Sequence, residues 1–232
     1  MMDLLTQATQ IKIKICGITR REDAMAALEC GADFGADFIG LNFFAGPRKL
    51  TISQAANIFA GIKNIQQIVA LVNLSSPDGF AAAEQLAGEF GVRRFQVYGD
   101  PAAAKSLPVA DAHYWPVFRI AQRDDLRRLH TALPQLPFSA DAILLDAYST
   151  RGHGGTGARI DVSWLSEAQK ADELRTLPPI ILAGGLTAEN VAHAIDTVRP
   201  AAVDVSSGVE VAGQSGIKDH TKMRAFIRAV RL

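Results

Sequence analysis

Along the whole chain, short apolar runs alternate with longer stretches in which apolar positions recur at helical spacing. The runs predict β-strands over 11–16, 38–43, 67–72, 93–97, 114–120, 141–146, 179–183 and 202–206. The stretches between them predict helices over 20–30, 53–61, 78–88, 124–133, 162–174, 188–196 and 221–230, with a very short one over 101–106. Several of these open on a Ser, Thr or Asp whose side chain can accept from the free N–H groups of a helix start. No Pro/Ser-rich linker or low-complexity segment interrupts the alternation, so one domain over 1–232 is expected, with 1–10 as an N-terminal extension.

Eight strand–helix units in 232 residues leave about 29 residues for each, close to the smallest βα repeat with short loops. The strands are apolar enough to be covered on both faces, as parallel strands under helices must be. A closed (β/α)8 barrel of the α/β class satisfies this economically. A doubly wound open sheet is the competitor, but the first strand runs into Cys-Gly-Ile-Thr rather than a GxGxxG turn.

Composition narrows the function. Lys+Arg and Asp+Glu both number 24, and this zero net charge gives no field for a nucleic acid or a membrane surface. Two cysteines, Cys16 and Cys30, cannot build a disulfide framework, and the first ten residues lack the basic and apolar segments of a secretion signal. A cytoplasmic protein is expected, with monomer and homodimer both compatible. The histidines His113, His130, His153, His193 and His220 show no HxH or HExxH spacing, so no metal is expected. Trp115 and Trp164 are expected to pack in the barrel and between helices.

In a barrel, chemistry gathers where the strands end in the C-terminal direction. Those ends carry Cys16, Asn42, Asn73, Tyr98, Arg119, Asp146, Gly184-Gly185 and Ser206-Ser207-Gly208. The Cys16 thiol and the Asp146 carboxyl can both move protons. Neither is specific alone, since a lone Cys after an apolar run is usually inert core and an Asp there usually caps a turn. Leu-Ala-Gly-Gly-Leu at 182–186 and Val-Asp-Val-Ser-Ser-Gly-Val-Glu at 203–210 each put a small-residue turn after a strand. Such turns let backbone N–H groups approach an anion, and in units seven and eight of a barrel they point to a phosphate site. His-Gly-Gly-Thr-Gly-Ala at 153–158 lacks the Lys-Ser/Thr ending of a nucleotide-binding loop and reads either as a loop closing over the sixth strand or as a plain connector.

Lys-Ile-Cys-Gly-Ile-Thr at 14–19, the segment leading to Pro47-Arg48, Asn73, Leu-Leu-Asp at 144–146, Gly-Gly-Thr-Gly, the two small-residue turns and Lys218-Asp219 together resemble the phosphoribosylanthranilate isomerase family of tryptophan biosynthesis. The resemblance implies a cofactor-free Amadori rearrangement of N-(5-phosphoribosyl)anthranilate to 1-(2-carboxyphenylamino)-1-deoxyribulose 5-phosphate. It implies Asp146 as general acid, Cys16 as general base and Arg48 beside the anthranilate carboxylate. Asn73, Gly155 and Gly157 are carried with it as substrate-binding positions, and Gly184, Gly185, Ser206, Ser207 and Gly208 as phosphate-binding ones. That chemistry asks for a protonated Asp146 near neutral pH, through burial or a nearby negative charge, and for a positive or N–H-rich setting at Cys16.

Three places depart from the family pattern. Gly-Ala-Asp-Phe occurs twice in tandem at 31–34 and 35–38, Tyr98 stands where the family has histidine, and Ala45-Gly46-Pro47-Arg48 lacks the usual serine. The alternatives are other phosphosugar isomerases or epimerases on the same barrel, and a barrel that only binds a phosphorylated metabolite. The aminoaldose isomerase of histidine biosynthesis uses two aspartates, which Cys16 opposes. A pure binding protein would not need both an acid and a base.

Overall fold

The computed structural model describes residues 10–29, 35–100, 108–147, 163–170 and 173–232. Eight parallel strands close into a barrel in sequence order, with β8 hydrogen-bonded back to β1. They are β1 (Lys12–Cys16), β2 (Phe38–Asn42), β3 (Ile68–Asn73), β4 (Arg94–Tyr98), β5 (His113–Ile120), β6 (Ile143–Ala147), β7 (Ile180–Ala183) and β8 (Ala202–Val205). Each lies within about two residues of its expected place, the scatter usual for element ends.

Seven helices cover the outside among the described residues: α1 (Arg21–Leu28), α2 (Ile52–Phe59), α3 (Pro77–Phe90), α4 (Arg123–Ala132), α5 (Ser163–Lys170), α6 (Val191–Val198) and α7 (His220–Arg231). Side-chain caps of the expected type stand at three starts, each about two residues before the expected opening residue: Thr51 forms a capping box with Gln54, Ser76 accepts from Gly79 N–H, and Asp219 accepts from Thr221 and Lys222 N–H. Helix α6 starts at Val191 rather than near residue 188, because Asn190 Oδ1 accepts from Thr187 N–H at 2.8 Å and holds 187–190 as a turn. Helix α5 is shorter than the expected 162–174. The short helix expected over 101–106, the first Gly-Ala-Asp-Phe copy, Cys30, the glycine loop with Gly155 and Gly157, the Trp164 side chain and residues 1–9 lie outside the described residues.

Strand alternation divides the core in two. Outward residues such as Ile13, Ile15, Ile39, Leu41, Leu145 and Leu182 pack against Ala24, Ile58, Leu86, Leu126 and Phe226 of the helices. Inward residues Phe38, Val69, Trp115, Ala142, Leu144, Ile181, Ala183 and Ala202 fill the barrel, with Phe38 and Trp115 edge to face at 5.3 Å. Trp115 is therefore barrel packing, as expected. Below the barrel a clasp joins the chain's two ends. Asp37 takes Lys12 Nζ at 2.9 Å, Ile13 N–H at 2.9 Å and Arg231 Nη2 at 2.9 Å, and Arg231 Nη1 donates to Ile11 O at 2.7 Å.

Candidate active site

At the mouth the barrel's filling turns from apolar to ionic. The same alternation that points Leu144 inward points Asp146 inward two residues later, and likewise carries Lys14 to Cys16, Gln96 to Tyr98 and Ala202 to Asp204. Lys14 is wholly buried and pairs with Asp204 Oδ1 at 2.8 Å. Cys16, on the next inward position, is also buried. On the far side Asp146 is half-buried and in register with Arg119 of β5 and Ala183 of β7. Cys16, Tyr98, Asp146 and Asp204 lie at inward positions near the C-terminal ends of their strands, around one mouth; in Tyr98 burial, and then these charges, raise the phenol. Its hydroxyl accepts from Gln96 Nε2 at 2.9 Å, and its ring stacks on Phe44 at 4.6 Å.

The two groups titrate in the same direction. Burial pushes the Asp146 carboxyl above its ordinary value, Arg119 opposes and Asp204 adds to it. The shift is in the direction that favours the protonated carboxyl. Burial also pushes the Cys16 thiol up, and Asp204 reinforces it, against the pull of Lys14 and Lys218. The positive setting expected at Cys16 is present in Lys14 and Lys218, but desolvation outweighs it.

Arg48 reaches the rim from the β2–α2 loop, its stem crossing Gly17. A Cβ at Gly17, whose φ is +70°, would lie 2.5 Å from Arg48 Cδ and 2.9 Å from Ser206 Oγ. Glu210 grips the guanidinium through Nε at 2.7 Å and Nη2 at 2.6 Å. Glu210 Oε1 also accepts from Lys218 Nζ at 3.0 Å and Gly216 N–H at 3.0 Å. Although burial opposes its charge, these donors, Arg48 foremost, hold the Glu210 carboxyl at about 2.

The turns after β7 and β8 touch each other. A Cβ at Gly208 would meet Leu186 O at 2.0 Å, so only a glycine lets the two backbones lie this close. Their carbonyls are occupied within the protein: Gly185 O accepts from Asn190 Nδ2, and Ser206 O from Val209 N–H and Lys218 Nζ. Gly184, Gly185, Ser206, Ser207 and Gly208 are thus brought together on one side of the mouth. Asn73 differs: its Oδ1 accepts from Ser75 N–H at 3.0 Å and its carbonyl from Ser76, a turn-forming arrangement at the end of β3. Among the described residues, no three His, Cys, Asp or Glu side chains group as a metal site would require.

A closed parallel barrel with a thiol, a carboxyl, an anchored arginine and two joined small-residue turns around its C-terminal mouth has the build of a (β/α)8 enzyme. The model of the family described as N-(5'phosphoribosyl)anthranilate (PRA) isomerase matches residues 13–229, and the chain belongs to that family. A protein of Pseudomonas fluorescens strain Pf0-1 named N-(5'-phosphoribosyl)anthranilate isomerase is 41% identical over 223 residues, covering 95% of this chain and 98% of the relative. The Thermotoga maritima phosphoribosyl anthranilate isomerase structure superposes with a TM-score of 0.75 at 28% identity, covering 96% of this chain and 99% of that one. A second structure, with TM-score 0.72 and 25% identity over 96% of this chain and 99% of that one, holds an isomerase of the same name with reduced 1-(o-carboxyphenylamino)-1-deoxyribulose 5-phosphate.

Lys14, Asp204, Glu210 and Lys218 are the groups that residue-by-residue reading missed as site components. For Lys14 and Asp204 the signal was charge inside otherwise apolar strands. Lys14 and Asp204 sit at alternate, inward positions of β1 and β8, where a solvent-facing charge is ruled out once the barrel closes.

Proposed function

We propose that this chain carries out the Amadori rearrangement of N-(5-phosphoribosyl)anthranilate to the 1-deoxyribulose phosphate in tryptophan biosynthesis, in the cytoplasm and with no cofactor. The position of Cys16 and Asp146 at strand ends around one mouth, next to the joined turns after β7 and β8, carries this reading. Asp146 gives its proton to the ribose ring oxygen. The C1′–O bond then breaks, and the nitrogen lone pair forms the C1′=N bond of a Schiff base. The C2′ hydrogen becomes acidic, the Cys16 thiolate takes it, and the resulting enolamine tautomerises to the ketone. Asp146 ends as the carboxylate and Cys16 as the thiol; Asp146 then takes a proton from water and Cys16 gives one up to water, which restores the starting forms.

The turns at Gly184-Gly185 and Ser206-Ser207-Gly208 hold the phosphate in this reading, and Arg48, fixed by Glu210, turns its remaining N–H groups to the anthranilate carboxylate. A phosphorylated small molecule is the one partner required. No helix among the described residues is long and apolar enough to cross a membrane.

The test is loss of phosphoribosylanthranilate fluorescence with the purified protein, with the aminoaldose of histidine biosynthesis as the comparison substrate. Cys16→Ala and Asp146→Asn are each expected to lower turnover by about 10²- to 10⁴-fold, the usual worth of one positioned proton transfer. Near-normal turnover in either folded variant removes that residue from its role. Turnover of the aminoaldose alone removes the substrate assignment.

A further inference from the structure

The proposed mechanism leaves one buried charge unused. Lys14 lies under the sulfur of Cys16, wholly enclosed, and its single carboxylate partner is Asp204 at 2.8 Å. A buried ion pair is poor evidence for stability, because apolar residues of the same volume often serve as well or better. Its presence two residues from the thiol therefore asks for another reason.

Gly40 of β2, in register with Cys16, shows how close the groups come. A Cβ at this position would lie 2.9 Å from Cys16 Sγ and 3.0 Å from Lys14 Nζ, so the absent side chain is the space that ammonium and sulfur share. We propose that Lys14 is a positioning residue for the reaction, an ammonium held under the sulfur by Asp204 that stabilises the Cys16 thiolate when the thiol gives up its proton.

The released proton goes to water, and Lys14 stays charged throughout. Burial opposes its charge, but Asp204 and then Cys16 outweigh burial and hold the ammonium above its ordinary range. Asp204 has a double action: it fixes the ammonium, and it repels negative charge on the sulfur. The other groups that act on Cys16 are Lys218, which precedes α7, Arg48 from the β2–α2 loop and Tyr98 on β4, while Asp146 faces it across the mouth. Of these, only Lys14 shares the Gly40 space with the sulfur.

The inference rests on Cys16 as the base, yet its test reads the thiol directly. Ultraviolet thiolate absorbance is followed against pH in the full chain, with the Cys16→Ser form of each protein subtracted. Asp204→Asn is compared with Lys14→Met/Asp204→Asn, a pair that leaves no unpaired buried carboxylate. Loss of Lys14 is expected to raise the Cys16 midpoint by about 1 to 3 pH units, the effect of an opposite charge at close range. Lys14→Arg, which keeps the charge, is expected to leave it within a unit of the parent.

Equal midpoints with and without Lys14, or an Arg variant that titrates like the Met variant, overturn the proposal. Should Cys16→Ser keep full turnover while the midpoints shift as expected, the base assignment falls and the Lys14–Cys16 coupling stands.

Discussion

Two buried ion systems flank Cys16, and they are built on opposite plans. At the floor, Lys14 meets one oxygen of Asp204 and shares the Gly40 space with the sulfur. At the rim, Glu210 is gripped by both arms of Arg48, by Lys218 and by the Gly216 N–H. A carboxylate with several donors is locked in place and in charge, which suits a part that must aim an arginine. An ammonium shared between a carboxylate and a thiol can respond when the thiol ionises, which suits a part that must change state. The same residue types give scaffold or chemistry according to how many partners each oxygen has.

The rim should break hardest. Glu210→Ala leaves a buried lysine and a half-buried arginine without their carboxylate, and a loss of about 3 to 5 kcal/mol is expected in chemical denaturation, together with a raised KM as Arg48 loses its aim. A fall of less than about 1 kcal/mol, the level of an exposed pair, would show that the rim cluster does not lock Arg48.

Acid should dissolve the rim next. The Glu210 carboxyl is depressed from 4.5 to about 2. Its stabilisation is therefore complete above pH 4.5 and disappears as the pH falls toward 2. On the order of 3 kcal/mol is at stake at about 1.4 kcal/mol per pH unit. Glu210→Gln should be less stable than the parent at neutral pH and should lose less on acidification, as thermal melts across that window would record.

The floor should respond least in stability and most in rate. Gly40→Ala pushes a methyl between Cys16 and Lys14 at about 3 Å from each and should cost about 1 to 3 kcal/mol, as overpacking usually does. Its kcat should fall more than its KM changes. A Gly40→Ala protein with the parent's kcat and thiol midpoint would show that the shared space is idle.

The fold was open to reading because barrel strands are buried on both faces and appear as apolar runs, Phe38–Asn42 and Ile180–Ala183 being the plainest. The strand ends then named Cys16, Asp146 and the two small-residue turns. Lys14 was hidden by its own strand: in Lys-Ile-Lys-Ile-Cys the alternation suggests one wet face, yet closure turns that face into the barrel, where Lys12 reaches the lower rim and Lys14 the floor. Glu210 and Lys218 were hidden by distance, since Arg48 lies 162 residues before its carboxylate and nothing local in the chain announces the pairing. The late start of α6 was a turn signal at Asn190 that helical spacing alone overrides.

The clasp at Asp37 bears on how the ring is completed during synthesis. Strand β1 leaves the ribosome first, but its outer edge waits for β8, and its lower end waits for Arg231 in the last turn of the final helix. Without β8 the other seven strands would have two unpaired borders, the kind of edge most exposed to edge-to-edge association. Protection of β1 is thus granted by α7, and truncation after Arg228 should loosen β1 before it loosens the strands in the middle of the sequence.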